Sequence, residues 1–173
     1  MNDSKTLLTT ERFHVDQVTQ HFPGGQTRKR AIVRHPGAVA IIPLTDDDHV
    51  CLIENYRVSV ERTLLEIPAG TLEGQATPLE TARRELKEET GYEAATIQQI
   101  AWFFLSPGIL DEKMTIFVAK GLTAGDAERE VGEEIENRVV AWGDAINMIF
   151  SGEITDAKTI AGLLIYDRLR KQE

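Results

Sequence analysis

One cysteine, Cys51, in 173 residues leaves no partner for an internal disulfide and excludes a zinc site built from several thiolates. Positive charge is also in short supply. Lys and Arg number 19 against 28 Asp and Glu, a net charge of −9. General affinity for nucleic acid comes mostly from neutralising phosphates, so this balance predicts no nucleic-acid partner. Long apolar runs are missing too. The longest, about Ala38 to Leu44, falls far short of the ~20 residues a membrane helix needs, and no membrane partner is expected. The opening MNDSKTLLTT has neither an apolar core nor a basic lead, which predicts no secretory leader. Together with the single thiol, this makes the cytoplasm the expected location.

What is present reads as one ordinary globular unit: 42% hydrophobic and 27% charged residues. The excess of acids suits a hard divalent cation wherever carboxylates gather. Strand patterns fall at 12–21 and 28–33 around the turn signal Phe22-Pro23-Gly24-Gly25-Gln26, predicting an N-terminal hairpin. Further strands are expected at 38–43, 49–55, 63–67, 97–104, 114–119 and 137–142, and helices at about 78–90, 143–151 and 156–171. This order predicts an α+β fold, with loops at about 105–113 and 121–136.

Segment 70–92, GTLEGQATPLETARRELKEETGY, is the informative one. Thr77 is a good N-cap, Pro78 suits the first helical position and Glu80 completes a capping box. Gly91 sits where a left-handed C-cap belongs. At 100° per residue, Leu79, Ala82 and Leu86 form the expected core stripe. Glu85, Glu88 and Glu89 cluster at i, i+3 and i+4, with Glu89 nearest that stripe and Glu88 furthest from it. A divalent cation would turn their repulsion into coordination. A solvated face with Glu80–Arg84 and Arg84–Glu88 pairs has the same spacing, so spacing alone leaves both readings open. His14, His21, His35 and His49 show no ligand spacing. Cys51 reads as a core residue, Trp102 and Phe103 as packing residues with a base-stacking contact as the other reading, and Ile160, Leu163, Leu164 and Leu169 as core or dimer packing.

The segment resembles the Nudix box, G-x5-E-x7-R-E-U-x-E-E-x-G-U, where U is bulky and apolar. Gly70, Arg84, Glu85, Leu86, Glu88, Glu89, Gly91 and Tyr92 stand at matching positions, and Ala76 replaces the first Glu. Glu73 or Glu80 is the expected substitute, by pairing with Arg84. The resemblance implies a Nudix fold, an α/β/α-like sandwich of mixed sheet and helices, with Mg²⁺ (Mn²⁺ as a possible substitute) on the helix. It implies metal ligation by Glu85, Glu89 and the Ala69 carbonyl, with Glu88 near a second ion or a bridging water. Gly70, Arg84 and Gly91 would support the site. The implied chemistry is hydrolysis of a nucleoside diphosphate linked to another moiety.

Beyond the box, the chain resembles the ADP-ribose pyrophosphatase and nucleoside diphosphate sugar hydrolase branch. The resemblance rests on Asn55-Tyr56-Arg57, Leu65-Glu66-Ile67-Pro68-Ala69-Gly70, Ser106-Pro107-Gly108 with Asp111-Glu112, and the stretch Ser151 to Thr159. Pro107 lies sixteen residues after Gly91, a spacing associated with ADP-ribose hydrolysis. Arg57 is the candidate phosphate-binding side chain, since a guanidinium matches phosphate bidentately, with a strand-edge salt bridge as its other reading. Glu112 is a candidate for placing substrate or a metal-held water, or else a solvated loop acid, and Pro107 is a candidate substrate-binding residue or an ordinary turn proline. The branch places the general base on the late acidic loop, at Glu133, with Glu134 and Glu136 open to a shift of register. Alternatives of other classes are a triphosphate or dinucleoside polyphosphate hydrolase and a non-catalytic ADP-ribose-binding module. Residues 1–34 would form an extension contributing to a homodimer interface, and residues 35–173 the hydrolase domain.

Overall fold

The computed structural model describes residues 4–128 and 134–172. Its most buried strand is β4 (Ala38–Pro43), in which all six residues are covered. Alternate side chains of a strand point to opposite faces, so β4 must be packed on both. On one face Ala40 and Ile42 join Leu163, Tyr166 and Trp142; on the other Val39 and Ile41 join Ala82 and Leu86. These two clusters are the two cores of the sandwich.

Four strands make the central sheet, in the order β7 (Ala69–Thr71), β4, β9 (Lys113–Ala124), β8 (Tyr92–Phe104). β4 runs parallel to β9 and antiparallel to β7. A second sheet is ordered β10 (Ile135–Ala141), β5 (His49–Arg57), β6 (Arg62–Glu66). α1 (Pro78–Thr90) covers one face, and α2 (Trp142–Ser151) and α3 (Ala157–Arg170) cover the other. The expected α+β sandwich is therefore observed.

The chain's start differs from expectation. Three strands, β1 (Ser4–Thr9), β2 (His14–His21) and β3 (Thr27–Arg34), form a separate antiparallel sheet, not a two-stranded hairpin. All six residues of β1 are exposed, so the strand has no buried face to impose an alternating pattern on SKTLLT. The sheet hangs on the loop after β8. Val33 N–H donates to the Ile109 carbonyl at 2.8 Å, and the Arg34 guanidinium meets Asp111 at 2.9 Å. β8 starts well before the expected position 97, and β9 runs into the segment read as the second loop.

α1 starts and ends as its sequence dictates. The Thr77 side chain accepts from Glu80 N–H, and the Glu80 carboxylate accepts from Thr77 N–H. Leu79 departs from the expected core stripe: it is 40% exposed. Burial begins at Thr81 and continues through Ala82, Leu86, Glu89 and Thr90, so the first turn lies beyond the sheet's cover.

Gly91 ends the helix at φ 78°, and its N–H donates to the Lys87 carbonyl at 2.8 Å. A methyl group at this position would lie 2.5 Å from the Gly125 carbonyl oxygen. Both the left-handed backbone and the rigid neighbour oppose a side chain. Gly91→Ala is therefore expected to destabilise the fold by about 2 kcal/mol or more, read as a lower urea midpoint at constant slope.

Candidate active site

The short β7 places the functional loop. Its pairing sets Gly70 opposite Val39 and Ala69 opposite Ala40, so the loop backbone is tied to the most buried strand. From the other side α1 presents its inward edge. Glu89, 3% exposed, accepts a hydrogen bond from Ala69 N–H at 2.8 Å. Glu85 lies against Gly70 itself. A Cβ on Gly70 would fall 1.9 Å from both Cδ and Oε1 of Glu85. The box glycine is thus needed here for space: its missing side chain is where the Glu85 carboxylate rests.

Arg84 fixes the third acid. Its Nη1 donates to Glu88 Oε2 and its Nη2 to Glu85 Oε1, both at 2.6 Å. The helix shows both spacings in one place. The acids line one cleft, and an Arg84–Glu88 pair exists beside them. Of the two expected substitutes, Glu73 acts on Arg84 as a nearby negative charge, and Glu80 is turned to Thr77. The Glu80 carboxylate is engaged by Thr77, and no hydrogen bond joins Glu73 to Arg84 among those of the described residues. Arg84 is held by Glu85 and Glu88 instead.

A cleft of about 720 Å³ opens over this surface. Its walls include Ala69, Gly70, Arg84, Glu85, Glu88 and Glu89, and also Arg57 and Glu112. The structure therefore brings together the box residues and two of the three expected substrate residues. Pro107 is elsewhere. It lines a separate depression of about 470 Å³, with Arg30 and Ile32 of β3. Gly91 caps the helix behind the cleft. Glu133 lies outside the described residues. The described ends of its loop are anchored on the last turn of α1: Glu128 N–H donates to the Glu88 carbonyl at 3.1 Å, and Asn137 Nδ2 to the Thr90 carbonyl at 2.8 Å. Trp102, expected to pack inside, is 52% exposed and meets Phe104 edge-on at 5.8 Å.

Sequence reasoning missed the charged floor of the cleft. Glu66, at the end of β6, is 1% exposed. Arg57 reaches back along β5 and grips it with two bonds, Nε to Oε1 at 2.8 Å and Nη2 to Oε2 at 2.6 Å. Lys158, in the first turn of α3, also donates to Glu66 Oε2 and sits 3.1 Å from Asp156. The signal was an acid inside an otherwise apolar run, Thr63-Leu64-Leu65-Glu66-Ile67, and such an acid needs a partner.

Burial pushes the Glu66 carboxyl upward, but the Arg57 and Lys158 cations outweigh it and hold the group below its ordinary 4.5. A carboxyl depressed on folding contributes stability that is complete above its unfolded value and is lost as pH falls through the folded one. Glu66→Gln, which cannot ionise, is expected to show a shallower loss of melting temperature than the wild type between about pH 5 and pH 3. Parallel slopes in the two proteins would contradict this assignment.

Whether the residues suit a divalent cation is a question of donors. Glu85, Glu88, Glu89 and the Ala69 carbonyl offer only oxygen, the donor set of a hard ion such as Mg²⁺. Among the described residues no three acids converge on one point as a finished cage. Arg84 bridges Glu85 and Glu88 in this arrangement.

Comparison with known proteins agrees with this geometry. The family model described as NUDIX domain matches residues 34–163. The chain belongs to the Nudix family. A Nudix relative, the ADP-ribose pyrophosphatase of Bacillus subtilis (strain 168), is 43% identical over 139 residues, covering 79% of this chain and 75% of that protein. The methanol dehydrogenase activator of Bacillus methanolicus is 41% identical over 170 residues, covering 91% and 89%. Among solved structures, an ADP compounds hydrolase superposes with a TM-score of 0.86 at 24% identity, over 98% of this chain and 92% of that one, and so shares the fold.

Proposed function

We propose that this Nudix protein hydrolyses the diphosphate bond of ADP-ribose or a related nucleoside diphosphate sugar, giving a nucleoside monophosphate and a sugar phosphate. One observation carries the reading: the box carboxylates and a phosphate-matching guanidinium, Arg57, line the same cleft. Family membership and the ADP-ribose pyrophosphatase relative support the same class of substrate.

Glu85, Glu89 and the Ala69 carbonyl are the proposed holders of Mg²⁺, with Glu88 beside them. When bound, the ion supplies charge neutralisation of the diphosphate and lowers the pKa of a water. The chain's own residues do the rest. Arg57 engages Glu66 through Nε and Nη2, which leaves Nη1 as the proposed donor to a phosphate oxygen of the substrate. Glu112, also on the cleft wall, helps place the substrate. Glu133 is the proposed base that takes the proton from the attacking water. The water oxygen joins one phosphorus as the bridging P–O bond breaks, and ADP-ribose yields AMP and ribose 5-phosphate. Pro107, in its separate depression, is kept as a proposed substrate contact for the part of the ligand that extends beyond the cleft.

Incubation with ADP-ribose, other nucleotide sugars and nucleoside triphosphates, with and without Mg²⁺, tests this. The expected products are AMP and ribose 5-phosphate, formed only with the metal ion. Release of pyrophosphate from triphosphates in preference would favour the triphosphate reading, and binding of ADP-ribose without cleavage would favour a sensor.

Residues 1–34 are the proposed extension, and its sheet, β1 to β3, is the proposed dimer contact. β1 carries Leu7 and Leu8 more than half exposed. Sedimentation at working concentration is expected to show a dimer, which a monomer would contradict.

A further inference from the structure

We infer that Lys158 is a positioning residue for the proposed reaction: through the buried Glu66 carboxylate it holds Arg57 in the orientation that receives the substrate's diphosphate. This rests on the function proposed above and adds a residue to it.

Glu66 sits at the end of a core strand, essentially without solvent. A carboxylate there is expensive unless its lone pairs are used. Arg57 uses both oxygens, and for simple neutralisation that would suffice. Lys158 nevertheless spends a second cation on Oε2, at only 8% exposure of its own. It is in turn fixed by Asp156 at 3.1 Å. Asp156 caps α3, accepting from Thr159 N–H at 2.9 Å, and the Thr159 hydroxyl accepts from Ile67 N–H at 3.0 Å. The first turn of α3 therefore grips the end of β6 twice, once through the Glu66 side chain and once through the neighbouring backbone.

The consequence falls on Arg57. Its side chain is the most exposed member of the chain Asp156–Lys158–Glu66–Arg57, at 38%. With Glu66 clamped on the far side, the fork cannot turn its carboxylate, so the planar guanidinium has one seat. Without Lys158, Glu66 is free to rotate, and Arg57 follows it. Arg57 would still be present but would have to be ordered at each binding event, a cost paid in affinity.

The test is a double-mutant cycle on the full chain with ADP-ribose and Mg²⁺. Lys158→Met in the wild-type background is expected to raise KM about tenfold, with a smaller change in kcat. In an Arg57→Ala background the same substitution is expected to change kcat/KM by less than about twofold, because the residue it acts through is gone. A merely structural lysine would cost the same in both backgrounds, and that result would overturn the inference. Lys158→Met leaves a buried acid with one partner fewer and can fail to fold. The companion Glu66→Gln/Lys158→Met removes both charges and keeps the volume. Its melting curve identifies a folded protein, and the same rise in KM is expected. A folded companion with unchanged KM would also overturn the inference. Absence of turnover by the wild-type protein overturns the proposed function together with the inference, whereas turnover indifferent to position 158 overturns the inference alone.

Discussion

Glu89→Gln is expected to lower Mg²⁺-dependent cleavage of ADP-ribose by at least about a hundredfold, a loss at the upper end of that seen for residues that merely support a metal site. The fold should survive the change. Glu89 is buried and accepts from Ala69 N–H, and the carbonyl oxygen of a glutamine amide can accept the same bond. What the variant lacks is the negative charge that a hard cation requires. The separation of the two effects makes the variant informative. A melting temperature close to the wild type with turnover nearly abolished assigns the carboxylate to the metal. Near-normal turnover would remove Glu89 from the proposed ligand set.

Gly70→Ala should produce the second largest effect, and by a different route. The added methyl carbon would occupy the place of the Glu85 carboxylate, 1.9 Å from its Oε1. Glu85 is a flexible side chain, so it can swing away. The loss of stability is accordingly modest, about 1 kcal/mol, in the ordinary range for a single substitution. The displaced carboxylate, however, no longer meets the Ala69–Gly70 backbone. We expect activity to fall about tenfold to a hundredfold, with the Mg²⁺ concentration for half-maximal rate raised. Unchanged Mg²⁺ dependence would show that Glu85 has no part in holding the ion. The contrast with Gly91→Ala is instructive. There the obstacle is the Gly125 backbone and the backbone dihedral is left-handed, so stability is lost first. Two glycines of one motif are thus needed for different physical reasons.

Local chemistry was legible in the sequence where it is local in space. The α1 boundaries follow from Thr77, Pro78, Glu80 and Gly91, each of which acts within a turn of its own position. The inward placement of Glu89 and the outward placement of Glu88 follow from helical geometry. Leu79 shows the limit of that geometry: it lies on the predicted side of the helix, but it precedes the first buried residue, Thr81, and is left 40% exposed. β1 was invisible because an exposed strand carries no alternation. The floor of the cleft was invisible for a stronger reason. Glu66 and Lys158 are separated by 92 positions, and no periodicity in either segment points to the other. Arg57 shows both sides at once. Its residue type suggested phosphate binding, its two bonds to Glu66 are a salt bridge, and its position in the cleft makes the two roles compatible.

The substitution of Ala76 for the usual acid belongs to the same account. Ala76 N–H donates to the Glu73 carbonyl at 3.0 Å, closing a tight turn before the helix, and Arg84 draws its partners from its own helix. Arg84 therefore holds Glu85 and Glu88 through hydrogen bonds within the helix, while the loop adds the nearby charge of Glu73.

The central claim is that the carboxylates of α1 make this chain a divalent-metal-dependent diphosphate hydrolase. The most direct test is the rate of AMP release from ADP-ribose by the wild-type protein as free Mg²⁺ is titrated from a chelated solution upward. No release is expected in chelator, and a saturable rise is expected as Mg²⁺ is added, with ribose 5-phosphate formed in equal amount. Release that persists undiminished in chelator, or no release at saturating Mg²⁺, would contradict it.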